Sequence, residues 1–261
     1  MAETKKKTYQ SASGGKGSKN DVQQAYKKAA PTGSAGGLRV GAVLLWLAAI
    51  AFEILAVLVF KGVVNLKFMP QIAQLIAFLV LDLICVIVGS QLWKRANHID
   101  PASKKNKVKF WLWNNMGVIV AAFAFIPFII IALLDKNADK KTKTIAVVAA
   151  AVALAIGVVT SIDYNPISAE EKEAAVGEIQ GDVFWTPFGH VYHAYDDCQA
   201  LNHTDTLTYG SVEEAINHSR TRMCSFCAKR MEKEEGIDLT NIKTDNQDVD
   251  EEALEAIPEA E

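Results

Sequence analysis

The chain has 261 residues, enough for one or two domains. Half of the residues are hydrophobic and 22 % are charged, and the formal net charge of −3 averages a basic beginning and a strongly acidic end. This segregation predicts polar ends around an apolar middle, and it makes the total charge a poor guide to binding partners. Residues 1–37 contain no apolar segment, so we expect no cleavable signal peptide.

The first 37 residues hold seven lysines and two acidic residues, together with Gly, Ser, Ala and Pro. Such a composition buries too little apolar surface to fold, so residues 1–37 are predicted to be a disordered basic tail. The lysines of this tail can rest on anionic lipid, or they can serve only to keep the chain in solution.

Four apolar runs follow, and each is long enough to cross a bilayer, which takes about 20 residues at about 1.5 Å per residue. They cover residues 38–60, 69–93, 110–134 and 144–162. The helices of a soluble bundle would need polar outward faces, which these runs lack. We therefore predict an α-helical membrane protein whose residues 38–162 form a four-helix transmembrane bundle. Its first span would act as an uncleaved insertion signal.

Two carboxylates interrupt the apolar runs. Glu53 lies in the outer half of the first span, and Asp82 lies near the middle of the second. A charge at such a depth is costly, so both residues are candidates for a functional intramembrane site. The alternative is a packing role, in which each carboxyl is protonated and hydrogen-bonded to a neighbouring helix.

The fourth span repeats small residues at intervals of four, which places them on one helix face. They are Ala149, Ala153, Gly157 and Ser161. A smooth face of this kind lets helices approach closely in lipid. The contact can lie inside the bundle or between two copies of the chain, and the sequence leaves both open.

Basic residues beside the spans predict the orientation in the membrane. The N-terminal tail and the connection at residues 94–109 are rich in Lys and Arg, and they favour a cytoplasmic location for both termini. The connection at residues 135–143 is also basic and argues the other way. Thiolate ligands persist more easily in a reducing compartment, so we expect both termini in the cytoplasm.

The polar end is predicted to contain three parts. Residues 163–180 form a linker with a short helix, residues 181–235 a small soluble module, and residues 236–261 a disordered acidic tail with few aromatic residues. A module of about fifty residues is too small for a robust core, so a bound metal would supply the missing stability.

Local patterns within the module predict an α+β fold. Residues 182–186 and 191–194 are typical of two short strands. Ser211 and Glu214 have the spacing of a capping box, which is expected to begin a helix over residues 211–220. The module is therefore predicted to combine a hairpin with helices.

The chemistry of the module lies in one imidazole and three thiols, those of His193, Cys198, Cys224 and Cys227. The Cys224-x-x-Cys227 pair suits a metal because a tight turn aims both thiolates at one ion. The distant pair of His193 and Cys198 then completes a tetrahedral shell. Four protein ligands leave no position for a catalytic water, so the pattern favours structural zinc. Accidental spacing and redox dithiol chemistry are the alternatives.

Other histidines compete for the role of metal ligand. His190 precedes His193 by three residues, and in a strand the two would face opposite sides, so only one is expected to bind. His203 and His218 are expected to be polar surface residues.

Residues around the ligands extend the pattern. It runs Val183-Phe184-x-Thr186-x-x-Gly189-x-x-Tyr192-His193-x-x-x-x-Cys198-x-x-Leu201, followed by a Glu-Glu-Ala helix and Cys224-x-x-Cys227. With this pattern, about a fifth of the chain resembles a small zinc-binding module appended to bacterial membrane and secreted proteins. That module is distantly similar to the metal-binding domain of the Ada DNA-repair proteins.

The resemblance implies a zinc-ribbon-like module with His193, Cys198, Cys224 and Cys227 as ligands, and it implies a bacterial inner (plasma) membrane as the location. Arg222 and Met223 precede the third ligand where the family often has Gly or Pro. The resemblance does not extend to the apolar runs.

We therefore expect a non-enzymatic integral membrane protein whose structural zinc module serves protein interaction or assembly. Its expected partners are the lipid bilayer and either another protein or a second copy of the chain. Two other functions are open, a small transporter or channel component that uses the intramembrane carboxylates and a zinc-thiolate redox sensor. Nucleic-acid binding is disfavoured because the acidic tail would screen the small basic patch. This patch would comprise Arg220, Arg222, Lys229 and Arg230.

Overall fold

The computed structural model describes residues 7–12 and 34–245. These residues form two compact units. The helical unit comprises residues 34–97 and 107–164, and the mixed unit comprises residues 7–12, 98–106 and 165–245. The predictions of disorder for residues 1–6, 13–33 and 246–261 lie outside the described residues.

Four long helices make up the helical unit. They are α1 (Ala35–Phe60), α2 (Gln71–Ile99), α3 (Lys107–Leu134) and α4 (Lys140–Ser161). Each is long and apolar enough to cross a membrane, which confirms this part of the prediction. Large apolar side chains such as Leu44, Phe123 and Val152 are exposed although the helix interiors are also apolar, a pattern typical of lipid-facing helices.

All four helices are longer than the apolar runs that predicted them, and α4 and α2 extend furthest beyond a predicted end. Helix α4 begins four residues before the predicted start because the Asp139 carboxylate accepts a hydrogen bond from the backbone N–H of Thr142 (3.0 Å) and caps the helix. Helix α2 continues past residue 93 to Ile99, since Lys94 and Arg95 are good helix formers. Hydropathy therefore located the helices, while capping and propensity decided their ends.

The small residues of α4 form a contact inside the helical unit. Gly157 lies against α3, where an added Cβ would stand 3.4 Å from that of Ala121. Ser161 donates a hydrogen bond to the hydroxyl of Ser90 on α2 (2.9 Å). Ala153, Gly157 and Ser161 are buried. The sequence left open whether this face lies inside the bundle or between two copies of the chain. In the structure it forms a contact inside the helical unit.

The mixed unit combines short helices with short strands. In chain order these are β1 (Thr8–Ser11), α5 (Ala169–Glu178), β2 (Val183–Trp185), β3 (Val191–Tyr192), a 3₁₀ turn (Gln199–Leu201), β4 (Thr206–Gly210), α6 (Val212–Asn217), β5 (Arg222–Met223) and α7 (Ser225–Glu235). The side chains of β2, β4, α6 and α7 enclose one core, whose largest fully buried members include Tyr192, Leu207, Ile216 and Met223.

Two small sheets organise this unit. In the first, β4 is central, with β1 parallel on one side and β2 antiparallel on the other. In the second, β3 pairs in parallel with β5. Phe184 and His193 join the two sheets, because each donates its backbone N–H to the other's carbonyl oxygen at 2.7 Å.

The boundaries predicted for the soluble parts differ from the structure at both ends. Thr8–Ser11, assigned to a disordered tail, pairs with β4, and Tyr9 packs edge-on against Phe184. Leu239 and Ile242, assigned to the acidic tail, are buried in the core of the mixed unit. Strand β1 was missed because its partner lies about 200 residues away, and composition cannot report a contact at that distance.

The predicted helix over residues 211–220 is shorter in the structure. Ser211 and Glu214 form the capping box, with the Glu214 backbone N–H donating to the serine hydroxyl (3.2 Å) and the Ser211 backbone N–H to the carboxylate (2.9 Å). The helix ends at Asn217, and Ser219 adopts a left-handed backbone conformation with φ of 66°. This turn redirects the chain into β5.

Candidate metal centre

The hairpin of the mixed unit positions the imidazole. His193 directly follows β3 and is held by its two backbone hydrogen bonds to Phe184. Five residues later the chain reaches Cys198. Its carbonyl oxygen accepts a hydrogen bond from the backbone N–H of Leu201 (2.8 Å) at the start of the 3₁₀ turn. The first ligand pair therefore lies on backbone that is fixed at both ends.

The helix α7 positions the other two thiols. Cys224 follows β5, donates its backbone N–H to the carbonyl of Tyr192 (2.9 Å), and is the N-cap residue of α7. Cys227 lies in the first turn of that helix, so one helical turn brings both thiols to the same side. The backbone bond to Tyr192 places this pair beside His193.

The four side chains converge. Their candidate ligand atoms all lie within 4.8 Å of one another, and all four residues are buried. The Sγ atoms of Cys198 and Cys224 are 4.0 Å apart, and Cys227 Sγ lies 3.8 Å from His193 Nδ1. Tetrahedral coordination with Zn–S bonds of about 2.3 Å would place two sulfurs about 3.8 Å apart. The group therefore fits a metal ion without rearrangement of the backbone.

No disulfide competes with this arrangement. All four cysteines of the chain are free, and the 4.0 Å between Cys198 and Cys224 is about twice the length of an S–S bond. Cys85 lies on α2 in the helical unit, apart from the cluster.

Electrostatics within the cluster favour a thiolate at one position. A hydrogen bond from the Cys227 thiol, assisted by one from His193, lowers the pKa of Cys224 far below its usual range. The same hydrogen bond to Cys224, together with burial, raises the pKa of Cys227. The sulfurs thus share protons among themselves, and a cation placed at their centre would displace these protons.

The remaining histidines do not join the cluster. His190, His203 and His218 are exposed, and His218 lies against the ring of Trp185 with centroids 6.1 Å apart. Among the described residues, the only His/Cys/Asp/Glu group with ligand-like spacing is the one formed by His193 and the three cysteines.

The N-terminal strand supports the loop between the first two ligands. Tyr9 donates its hydroxyl proton to the carboxylate of Asp196 (2.9 Å), and Lys7 Nζ donates to the carbonyl of the same residue (2.5 Å). Sequence reasoning missed this contact. The available signal was a single tyrosine with polar neighbours inside a Lys-rich segment, which is too weak to predict a strand.

A cavity of about 290 Å³ lies beside the centre. It is lined by Tyr195, Asp197, Cys198, Gln199, Phe226, Cys227 and Arg230. The Arg230 guanidinium lies 4.1 Å from the centroid of the Tyr195 ring and pairs with Asp197 at 2.8 Å. This arginine was assigned to a basic patch for nucleic acid, yet its charge is already matched by a neighbouring carboxylate.

Glu53 and Asp82 lie in the helical unit, on α1 and α2. They are 8 % and 0 % exposed, and their carboxyl groups interact electrostatically. One oxygen of Glu53 and both oxygens of Asp82 have no hydrogen-bond partner in the described part of the chain. The two candidates are therefore both buried in the helical unit, whereas the His/Cys cluster belongs to the mixed unit.

A search of protein-family models, curated proteins and solved structures finds no match to this chain. The resemblance to the zinc-binding module therefore stays a prediction from the sequence pattern alone.

Proposed function

We propose that this chain is a non-enzymatic integral membrane protein in which a zinc-binding module serves protein interaction or assembly. The observation that carries the proposal is the convergence of four buried ligand atoms, contributed by His193, Cys198, Cys224 and Cys227, within 4.8 Å of one another. A small unit with short strands and helices gains its stability from such a centre, because metal-binding energy is folding energy.

The donor set supports zinc among the metals. Three thiolates and one imidazole in a compact shell suit a tetrahedral ion without redox chemistry, whereas carboxylate and carbonyl ligands would suit Mg²⁺ or Ca²⁺. Four protein ligands close the shell, so no position is left for a reacting water. This argues for a structural role rather than hydrolysis.

Contacts inside the mixed unit limit how often the chain can cross a membrane. Residues 98–106 comprise the last two residues of α2 and the connection after it, and residues 165–245 follow α4. Lys172 Nζ donates to the backbone oxygens of His98 (3.2 Å) and Ile99 (2.6 Å). Residues in contact lie on one side of a membrane, so α3 and α4 either both cross or both fail to cross.

The N-terminal strand extends the same argument to the whole chain. Strand β1 precedes α1 and pairs with β4, which follows α4. This pairing favours an even number of crossings by the four helices, and it supports four spans with both termini on one side. The basic residues at 94–109 favour the cytoplasm as that side.

Metal analysis of the full chain, purified in detergent, tests the proposal. We expect about one zinc per chain. Cys224→Ser should lose the metal, since one of four ligands is removed and a buried hydroxyl is a poor replacement. Cys85→Ser is the matched control, because Cys85 lies outside the cluster, and it should keep the metal. A wild-type protein that stays folded and metal-free after purification without chelators contradicts the proposal.

A further inference from the structure

The carboxylates of Glu53 and Asp82 lie well inside their helices. Glu53 is seven residues before the end of α1 at Phe60, and Asp82 is eleven residues after the start of α2 at Gln71. At about 1.5 Å per residue these positions are about 10 and 16 Å from the helix ends. Both helix ends flank the connection at residues 61–70, so the two carboxyls lie in the same half of the helical unit.

Their hydrogen-bonding state is a separate observation. Asp82 is completely buried and neither of its oxygens has a hydrogen-bond partner among the described residues, while Glu53 is 8 % exposed and its Oε1 likewise has none there. Buried polar groups nearly always have partners, and an ionised carboxylate without one is strongly disfavoured in apolar surroundings. These three oxygens therefore have no group among the described residues that would stabilise a negative charge on them.

Among the described residues no cationic side chain pairs with either carboxyl, and Lys61, just beyond the end of α1, pairs with Asp135 instead (2.6 Å). On α1 the only other charged residue is Arg39, near the opposite end, and on α2 the group nearest to Asp82 is the thiol of Cys85. Residues 110–134 of α3 and residues 144–161 of α4 contain no titratable side chain. The compensating charge must come from a bound cation.

The surroundings select the kind of cation. Metal cations such as Ca²⁺ or Mg²⁺ take six or more oxygen ligands at fixed distances. Here the oxygens are those of two carboxyls, set among apolar side chains of the interior such as Leu79, Val86 and Phe128. A proton needs only one oxygen, and it neutralises the charge completely.

We propose that Glu53 and Asp82 form a proton-binding site in the interior of the helical unit. The site holds protons at neutral pH, and release of one proton leaves a carboxylate whose charge opposes release of the second. The pair therefore titrates in two steps that belong to both groups. This site does not depend on zinc binding by the mixed unit.

Infrared spectroscopy of the full chain in lipid at neutral pH tests the proposal. A protonated carboxyl has a carbonyl stretching band that a carboxylate lacks. We expect this band in the wild type, its loss or reduction in Asp82→Asn, and a shift or reduction in Glu53→Gln. Both substitutions keep shape and hydrogen-bonding capacity.

Asp135→Asn is the matched control. Asp135 is in the same unit but lies at a helix end, where a hydrogen bond from Lys61 (2.6 Å) lowers the pKa of its carboxyl to about 2. This residue is ionised at neutral pH, so its substitution should leave the band unchanged. A wild-type spectrum without the band, or a band that neither Asp82→Asn nor Glu53→Gln alters, overturns the proposal. Loss of the wild-type band on addition of NaCl would show a metal cation at the site and would also overturn it.

A chemical probe tests the proposal on the wild-type protein, so its result does not depend on whether the variants fold. Dicyclohexylcarbodiimide reacts with protonated carboxyls in apolar surroundings. The carboxyl proton moves to a carbodiimide nitrogen while the carboxyl oxygen bonds to the central carbon, and acyl migration leaves a stable N-acylurea. We expect mass spectrometry of the wild type to locate the adduct at Asp82 or Glu53 and not at Asp135. Absence of an adduct at both buried positions contradicts the proposal.

Discussion

Burial also raises the free energy of an ionised carboxylate outside the membrane helices. Asp182, just before β2, has one buried oxygen with no hydrogen-bond partner in the part of the chain that the structure describes. Burial, followed by the charge of Glu214, raises the pKa of Asp182 above its usual value of 3.8. The folded mixed unit therefore binds a proton at Asp182 more tightly than the unfolded chain does. Ionisation of Asp182 destabilises the fold at neutral pH, and this penalty disappears as the pH falls through the raised pKa toward 3.8.

We predict that Asp182→Asn raises the melting temperature of the full chain by a few degrees at neutral pH, because the amide carries no charge. The advantage over the wild type should shrink as the pH is lowered, since Asp182 then becomes protonated. Thermal unfolding of both proteins at several pH values measures the difference. Glu178→Gln removes an exposed carboxylate from the same unit and should have little effect. A difference that grows on acidification contradicts the assignment.

Helix packing in the helical unit includes close approaches at glycine residues. Gly117 on α3 lies between α2 and α4, where an added Cβ would stand 2.6 Å from Ser90 Oγ, 2.8 Å from Ser90 Cβ and 3.1 Å from Ser161 Cβ. The clash with a Cβ atom cannot be relieved by rotation of a side chain. Gly177 on α5 is the opposite case, since an added Cβ there meets nothing within 4 Å.

Alanine substitutions at these two glycines form a matched pair. Gly117→Ala should destabilise the helical unit by about 1–3 kcal/mol because α2, α3 and α4 must move apart. Gly177→Ala should stabilise the mixed unit by about 0.5–1 kcal/mol, because alanine is the better helix former and meets open space. Unfolding in denaturant with probes in each unit measures both changes. Equal tolerance at the two positions would contradict the packing described for α3.

At the scale of the whole molecule, the His/Cys cluster depends on distant parts of the chain. The core around it includes Ile167 from the segment before α5 and both Leu239 and Ile242 from the segment after α7. Strand β1 adds the hydrogen bonds to Asp196. A fragment limited to the predicted module, residues 181–235, would omit these groups, so the full chain is the appropriate object for metal analysis.

The proposed orientation gives a prediction for the intact cell. Single cysteines at Lys105, Asn137 and Thr240, all exposed positions, report the connection after α2, the connection after α3 and the end of the mixed unit. An impermeant thiol reagent applied from outside should label only the Asn137→Cys protein. The wild type supplies the background from the native cysteines. Labelling of Thr240→Cys from outside would contradict the cytoplasmic assignment, and opposite results at Lys105 and Thr240 would contradict the even number of crossings.

The sequence alone was sufficient where the signal is local. Continuous apolar runs predicted the four long helices, because hydropathy over about 20 neighbouring residues decides whether a segment can cross a bilayer. Ser211 and Glu214 predicted a helix start, since a capping box involves residues only three apart. Residue type and spacing likewise singled out His193 and the three cysteines that the structure brings together.

Only the tertiary structure decided the contacts between distant segments. The pairing of Thr8 with Thr206 and the burial of Ile242 join parts of the chain that show no shared local pattern. The pairing of Glu53 with Asp82 depends on how α1 and α2 are rotated about their axes, and both helices are apolar on all sides. Strand pairing and helix rotation are set by the packing of the whole unit, which local periodicity does not encode.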